Sequence, residues 1–142
     1  MSKIMVSACL LGRNCKYNGG NNLDEKVVTF VEGHEVVLVC PEAAAGLGIP
    51  RVPMEIVDGV LINREGIVVD EPVRRAVQTI VEENPDAELA ILKSRSPTCG
   101  VKQVYDGSFS GTLVDGMGVL AQALNAAGIK IIDAEDIGNE RV

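Results

Sequence analysis

Four cysteines, at positions 9, 15, 40 and 99, and one histidine, His34, carry most of the metal-ligating and nucleophilic capacity of this 142-residue chain. Three of the cysteines share a context. Apolar Ile4 to Val6 runs into Ser7-Ala8-Cys9, and Val36 to Val39 runs into Cys40-Pro41-Glu42. Leu89 to Leu92 gives way to Lys-Ser-Arg-Ser-Pro-Thr-Cys-Gly, residues 93 to 100. If the three runs are neighbouring parallel strands, three thiols meet at one sheet edge. No Cys-x-x-Cys pair is present, which disfavours structural zinc, a metal that usually draws on at least one close pair of ligands. An open metal site, an iron-sulfur site and inert buried cysteine all remain readings of these residues. The spacing neither chooses iron over zinc nor excludes Cys15.

The polar residues beside the cysteines suggest acid-base chemistry. Glu42, two residues beyond Cys40, stands within reach of any site there as a general base, and apolar Ala43 to Ala45 are expected to raise its pKa. The plainer alternative is a carboxylate favouring the first turn of a helix. Arg51 can meet a carbonyl, a phosphate or a cluster sulfide, or form a surface salt bridge. The Ser-Pro and Thr of residues 96 to 98 are also ordinary turn formers. Residues 106–118 are glycine-rich without a Walker loop or Gly-x-Gly-x-x-Gly, so they are expected to wrap a site with backbone rather than cradle phosphates. His34 falls at the far end of the second strand from the cysteines, in a surface loop.

The elements that must position these residues can be read from periodicity. Strands are predicted at Ile4 to Cys9, Glu35 to Cys40, Leu89 to Leu92 and Ile129 to Ile132, the second of them central because it is almost wholly apolar. Helices are predicted from Leu23 to Val31 with Asn22 as cap, and from Glu71 to Glu83 with Asp70 as cap. A third spans Gly118 to Ala127 and is closed by Gly128. Met54 to Val57 and Val60 to Asn63 flank Asp58-Gly59, a strong hairpin signal, and Gly66 to Val69 is a candidate third piece. Pro41 to Pro53 reads as an ordered loop, and Lys102 to Tyr105 as a short strand. The fold expected is α/β: a three-layer sandwich with a mostly parallel sheet and a small antiparallel hairpin appendage. Residues 1–142 are expected to form one domain.

Composition excludes some functions. Hydrophobic residues make up 46% of the chain, enough for a real core, while aromatics are 3% with no Trp and the net charge is −7. Stacking platforms for single strands are scarce and the charge repels phosphate backbones, so general nucleic-acid binding is disfavoured. No apolar run of membrane-spanning length occurs, and the N-terminus leads directly into a strand, so the expectation is a cytoplasmic protein that engages no membrane. Four cysteines then suit ligands, catalytic thiols or core residues better than disulfides.

Several ordered motifs sharpen this. Ser7-Ala8-Cys9-Leu10-Leu11-Gly12, Tyr17-Asn18-Gly19, Cys40-Pro41-Glu42 and Gly46-Leu47-Gly48-Ile49-Pro50-Arg51-Val52-Pro53 are followed by Ser96-Pro97-Thr98-Cys99-Gly100 and Tyr105-Asp106-Gly107-Ser108-Phe109-Ser110-Gly111. Together, over about residues 4 to 132, they resemble the signature of a bacterial family, long a domain of unknown function, that includes the thiouracil desulfidases. The resemblance implies a [4Fe-4S] cluster on Cys9, Cys40 and Cys99, with one iron open to the sulfur of a thiolated pyrimidine. Cys15 falls where relatives often carry Val and lies outside that ligand set. The resemblance further implies Glu42 and Ser96 as catalytic residues; Ser7, Arg51 and Thr98 are expected to touch substrate, although Thr98 stands where relatives often carry Ser. The activity implied is non-redox desulfidation of a thiouracil-type base or nucleoside, a small-molecule partner. Its rivals are thiouridine desulfidation in tRNA and a non-catalytic iron-sulfur or zinc binding module. The oligomeric state is not readable from these residues.

Overall fold

A computed structural model describes residues 3–137; Met1, Ser2 and residues 138–142, which the expected domain also includes, lie outside the described residues. Strand β1 (Lys3–Ser7) is followed by a 3-10 turn at Ala8–Leu11, helix α1 (Glu25–Val31), strand β2 (Glu35–Val39) and a single helical turn, α2 (Pro41–Ala44). Hairpin β3 (Met54–Val57) and β4 (Val60–Asn63) leads to helix α3 (Asp70–Glu83) and strand β5 (Leu89–Leu92). A second hairpin, β6 (Gln103–Tyr105) and β7 (Leu113–Asp115), precedes helix α4 (Val119–Ala126) and strand β8 (Lys130–Asp133).

The sheet has the order β2-β1-β5-β8, and each neighbouring pair is parallel. Alternation along the strands divides the core into two layers. Ile4, Val6 and Ile91 face Val27 and Val31 of α1, whereas Met5, Ala90 and Leu92 face Val73, Val77, Leu120 and Leu124 of α3 and α4. This is the expected α/β sandwich. Among the described residues no helix is long and apolar enough to cross a membrane.

Several local expectations need correction. Strand β2 lies at the sheet edge rather than its centre, and Leu38 is 36% exposed; apolar composition does not reveal how many neighbours a strand will find. The first strand stops at Ser7, so Cys9 sits in the 3-10 turn. Asp24, not Asn22, caps α1, accepting from the N–H groups of Lys26 and Val27. Asp70 does not cap α3. Its carboxylate accepts instead from Leu61 N–H at 3.0 Å and Arg74 Nε at 2.8 Å, tying the first hairpin to the helix. Residues 66–69 contribute only a bridge between Val68 and Ile62. Of the second hairpin the sequence predicts only the first strand, because β7 is three residues long, lies between glycine-rich turns and shows no alternation.

Candidate functional site

The order β2-β1-β5 places three strand ends side by side, with Ser7 of β1 in register with Val39 of β2 and Val6 with Ile91 of β5. The chain leaves β1 into the turn carrying Cys9, and leaves β2 directly into Cys40. From β5 it runs through residues 93–98 to Cys99. All three line one cavity of about 540 Å³, and so does Cys15. Gly118, the residue before α4, is packed against this last loop. A Cβ there would lie 2.5 Å from the Thr98 carbonyl carbon, so only glycine permits the approach that seats Cys99.

All four cysteines are free thiols. Burial pushes Cys99 up to about 12; hydrogen bonds from Ser7 and Thr98 pull it down, and nearby Cys9 and Glu42 add to the rise. Burial also raises Cys9, against a hydrogen bond from Asn22 and the charge of Lys93, with Cys40 contributing to the rise. Cys15 is pushed up to about 12 by burial and then by Cys40 beside it. Cys9, Cys15 and Cys99 each therefore sense another thiol across the cavity. Several thiolates confined here need a compensating cation, which is what a soft metal centre provides.

Donors are aimed at the sulfurs. Asn22 Nδ2 lies 3.4 Å from Cys9 Sγ, and Thr98 Oγ1, whose one proton is shared with Glu42, lies 3.7 Å from Cys99 Sγ, the kind of outer contact that orients and tunes a ligating thiolate. Asn22 was missed as a site residue because its type and position suit a helix cap equally well. Cys40 Sγ in turn donates to the Cys15 carbonyl at 3.8 Å. Among the described residues no three His, Cys, Asp or Glu side chains form a single-ion site. Thiols spread around a cavity fit a cluster of several irons better, because each ligand then binds a different metal atom.

Glu42, on α2, faces the same cavity. Its expected apolar setting is not found, since Ala43 and Ala44 are exposed. The groups that touch the carboxylate are polar: Arg51 Nε donates to Oε1 at 3.0 Å and Thr98 Oγ1 donates to Oε2 at 3.3 Å. The Arg51 pair is a buried ion pair rather than a surface one, with side-chain exposures of 6% and 15%. Arg51 Nη1 also donates to the Gly48 carbonyl and Nη2 to that of Cys15, at 3.0 and 2.8 Å. Three of its nitrogens are thus engaged within the protein, a placement that orients Glu42.

Ser96 Oγ accepts from the N–H groups of Thr98 and Cys99 at 3.1 and 3.0 Å, the turn chemistry its type suggests. It also lies 3.0 Å from Thr98 Oγ1. A continuous chain, Ser96 to Thr98 to Glu42, therefore runs along the cavity wall. Thr98, 2% exposed, is its buried middle link. Ser7 is equally buried, and its hydroxyl accepts from Lys93 N–H at 3.0 Å while bonding Cys99, so it props the loop that carries Cys99. His34 is exposed at the start of β2, away from the site.

A solved structure described as a [4Fe-4S]-dependent thiouracil desulfidase, TudS, superposes with a TM-score of 0.90 at 28% identity, covering 98% of this chain and 95% of that one. An uncharacterized protein of Bacillus subtilis (strain 168), YbbK, is 32% identical over 148 residues, 96% of this chain and 98% of that protein. The family model described as 2-thiouracil desulfurase matches residues 4–136, a span that contains every residue of the cavity, and the chain belongs to that family.

Proposed function

We propose that this protein, acting as one unit over residues 1–142, is a non-redox desulfidase. It replaces the sulfur of a thiolated pyrimidine with oxygen from water and releases sulfide, using a [4Fe-4S] cluster held by Cys9, Cys40 and Cys99. The observation that carries the reading is the convergence of three strand-end thiols on one cavity whose wall bears the Ser96-Thr98-Glu42 chain. Family membership and the solved relative support the reaction and the cofactor.

When bound, such a cluster supplies a Lewis-acidic iron with affinity for the departing sulfur. The rest falls to the side chains. Glu42 is the general base that takes a proton from the water adding to the thiocarbonyl carbon. Arg51 fixes one carboxylate oxygen, so the other keeps its bond to Thr98. Reorientation of the Thr98 and Ser96 hydroxyls passes that proton to Ser96, which lines the cavity and returns it to the ring or the leaving sulfide. Arg51 and Ser7 act one step back, on Glu42 and Cys99.

Of the five cationic residues that line the cavity, Arg51 pairs with Glu42 and Arg95 with Glu135, whereas among the described residues Lys16, Arg64 and Lys93 make no ion pair and face one unpaired carboxylate, Glu55. In a chain of net charge −7 this bias favours a substrate with an anionic extension, a nucleotide over the free base. A thiolated nucleoside within tRNA is the weaker reading, because the chain's net charge of −7 opposes a polyanion.

The test is anaerobic reconstitution followed by sulfide release from 2-thiouracil, thiouridine and thiouridine monophosphate. The wild type should absorb broadly in the visible and turn over, and Cys99→Ala should lose both properties. Glu42→Gln should keep the absorption while kcat falls by about 100-fold or more. A fully reconstituted wild type that leaves every thiolated pyrimidine intact would overturn the reading.

A further inference from the structure

The chain holds only four aromatic residues, two Tyr and two Phe. Three of them, Tyr17, Tyr105 and Phe109, line the cavity that gathers the cysteines. Such concentration in a chain without Trp is not required by the sulfur chemistry, for which thiols and a base suffice. It suits a flat heteroaromatic ligand, whose faces gain most from contact with other rings.

Phe109 is held with unusual care. It lies in the 106–112 loop joining β6 to β7, and its backbone is left-handed, with φ of 57°, a costly conformation for a bulky side chain. The loop is closed by Asp106 N–H on the Thr112 carbonyl at 2.9 Å. It is clamped from outside by Glu55 of β3, a buried residue whose Oε1 accepts from the N–H groups of Gly107 at 2.9 Å and Phe109 at 3.1 Å. Among the described residues Glu55 makes no ion pair, so its carboxylate is committed to this loop. A Cβ on Gly107 would stand 2.6 Å from the Ile56 carbonyl, so the loop rests directly on the β3 backbone. One hairpin thus grips the tip of the other, and the residue aimed by that grip is an aromatic in the cavity.

We propose that Phe109 is the specificity-determining residue that stacks on the pyrimidine ring, with Tyr17 and Tyr105 completing an aromatic wall, and that Glu55 is its positioning residue. The proposal deepens the desulfidase reading and rests on it. It accounts for selection of a planar ring over other thiocarbonyl compounds, which the cluster and Glu42 alone would treat alike.

The test compares 2-thiouracil with 5,6-dihydro-2-thiouracil, which keeps the thiocarbonyl and both N–H groups but lacks the conjugated face, on the reconstituted holoenzyme. Phe109→Leu should raise KM for 2-thiouracil about tenfold, the scale of one base-aromatic stack, with kcat within about twofold. It should leave kcat/KM for the dihydro compound unchanged, and Phe109→Tyr should stay near wild type. Glu55→Gln should reproduce the KM increase and speed hydrogen exchange at the Gly107 and Phe109 amides. Calorimetry of uracil, the oxo product, should show weaker binding in Phe109→Leu whether or not turnover is seen. Equal losses on both substrates in Phe109→Leu, or no loss on either together with unchanged uracil binding, would overturn the stacking role. A wild type that binds uracil in a Phe109-dependent way yet desulfurises nothing would overturn the reaction instead, so the two failures are distinct.

Discussion

At the scale of single residues, the site is a set of paired commitments. Arg51 joins Glu42, the proposed base, to the 12–22 and 46–53 loops through two carbonyls. Arg51→Met would leave the Glu42 carboxylate half-buried without its partner and orphan two acceptors, so about 3 kcal/mol of stability should be lost, measurable by denaturant unfolding. Activity should fall more than cluster content, because the thiols keep their own backbone. The residues most legible in the sequence were those whose chemistry is rare: three cysteines at strand ends, and Glu42 beside one of them. Glu55 and Asn22 were not legible. A carboxylate within Met-Glu-Ile-Val and an amide before a helix each have a common local explanation, and only the tertiary fold brings Glu55 to Gly107 and Asn22 to Cys9.

At the scale of elements, the link between the first hairpin and α3 depends on one carboxylate. Burial pushes Asp70 up, but Leu61 N–H and the Arg74 guanidinium together outweigh it and hold the group below the ordinary range. A depressed folded-state pKa contributes stability that is present above the unfolded-state value and is lost as pH falls through the folded one. Asp70→Asn should therefore cost about 1 kcal/mol near neutral pH, after allowance for partial exposure. Its melting temperature should converge with that of the wild type as both are acidified below the carboxylate range. A constant gap at all pH values would show that the bond geometry, not the charge, matters. The hairpin itself was legible from Asp58-Gly59, whose φ values of 49° and 80° meet the turn's demand. The edge position of β2 was not, since it is decided by the later arrival of β5 and β8 on the other side of β1.

At the scale of the whole molecule, charge is divided. The protein is acidic overall, yet the cavity gathers five of its 13 Lys and Arg residues. Between low and about 0.3 M salt, KM for thiouridine monophosphate should rise several-fold while that for 2-thiouracil stays nearly flat, because screening weakens only the anion's attraction. Identical salt responses would remove the argument for an anionic substrate. Composition disclosed the net charge but not its inward bias, which depends on loops folding toward one another.

The strand order β2-β1-β5-β8 also dictates when the protein can mature. Its three proposed ligands are separated by 31 and 59 residues along the chain, and Cys99 is delivered by a strand that sits between β1 and β8. A finger with paired cysteines can capture metal on a short peptide and fold around it. With these proposed ligands the receptacle would exist only once β5 has docked, so cluster delivery would follow folding. A cluster donor must meet an already shaped apoprotein, and a defect in the sheet would register first as poor loading.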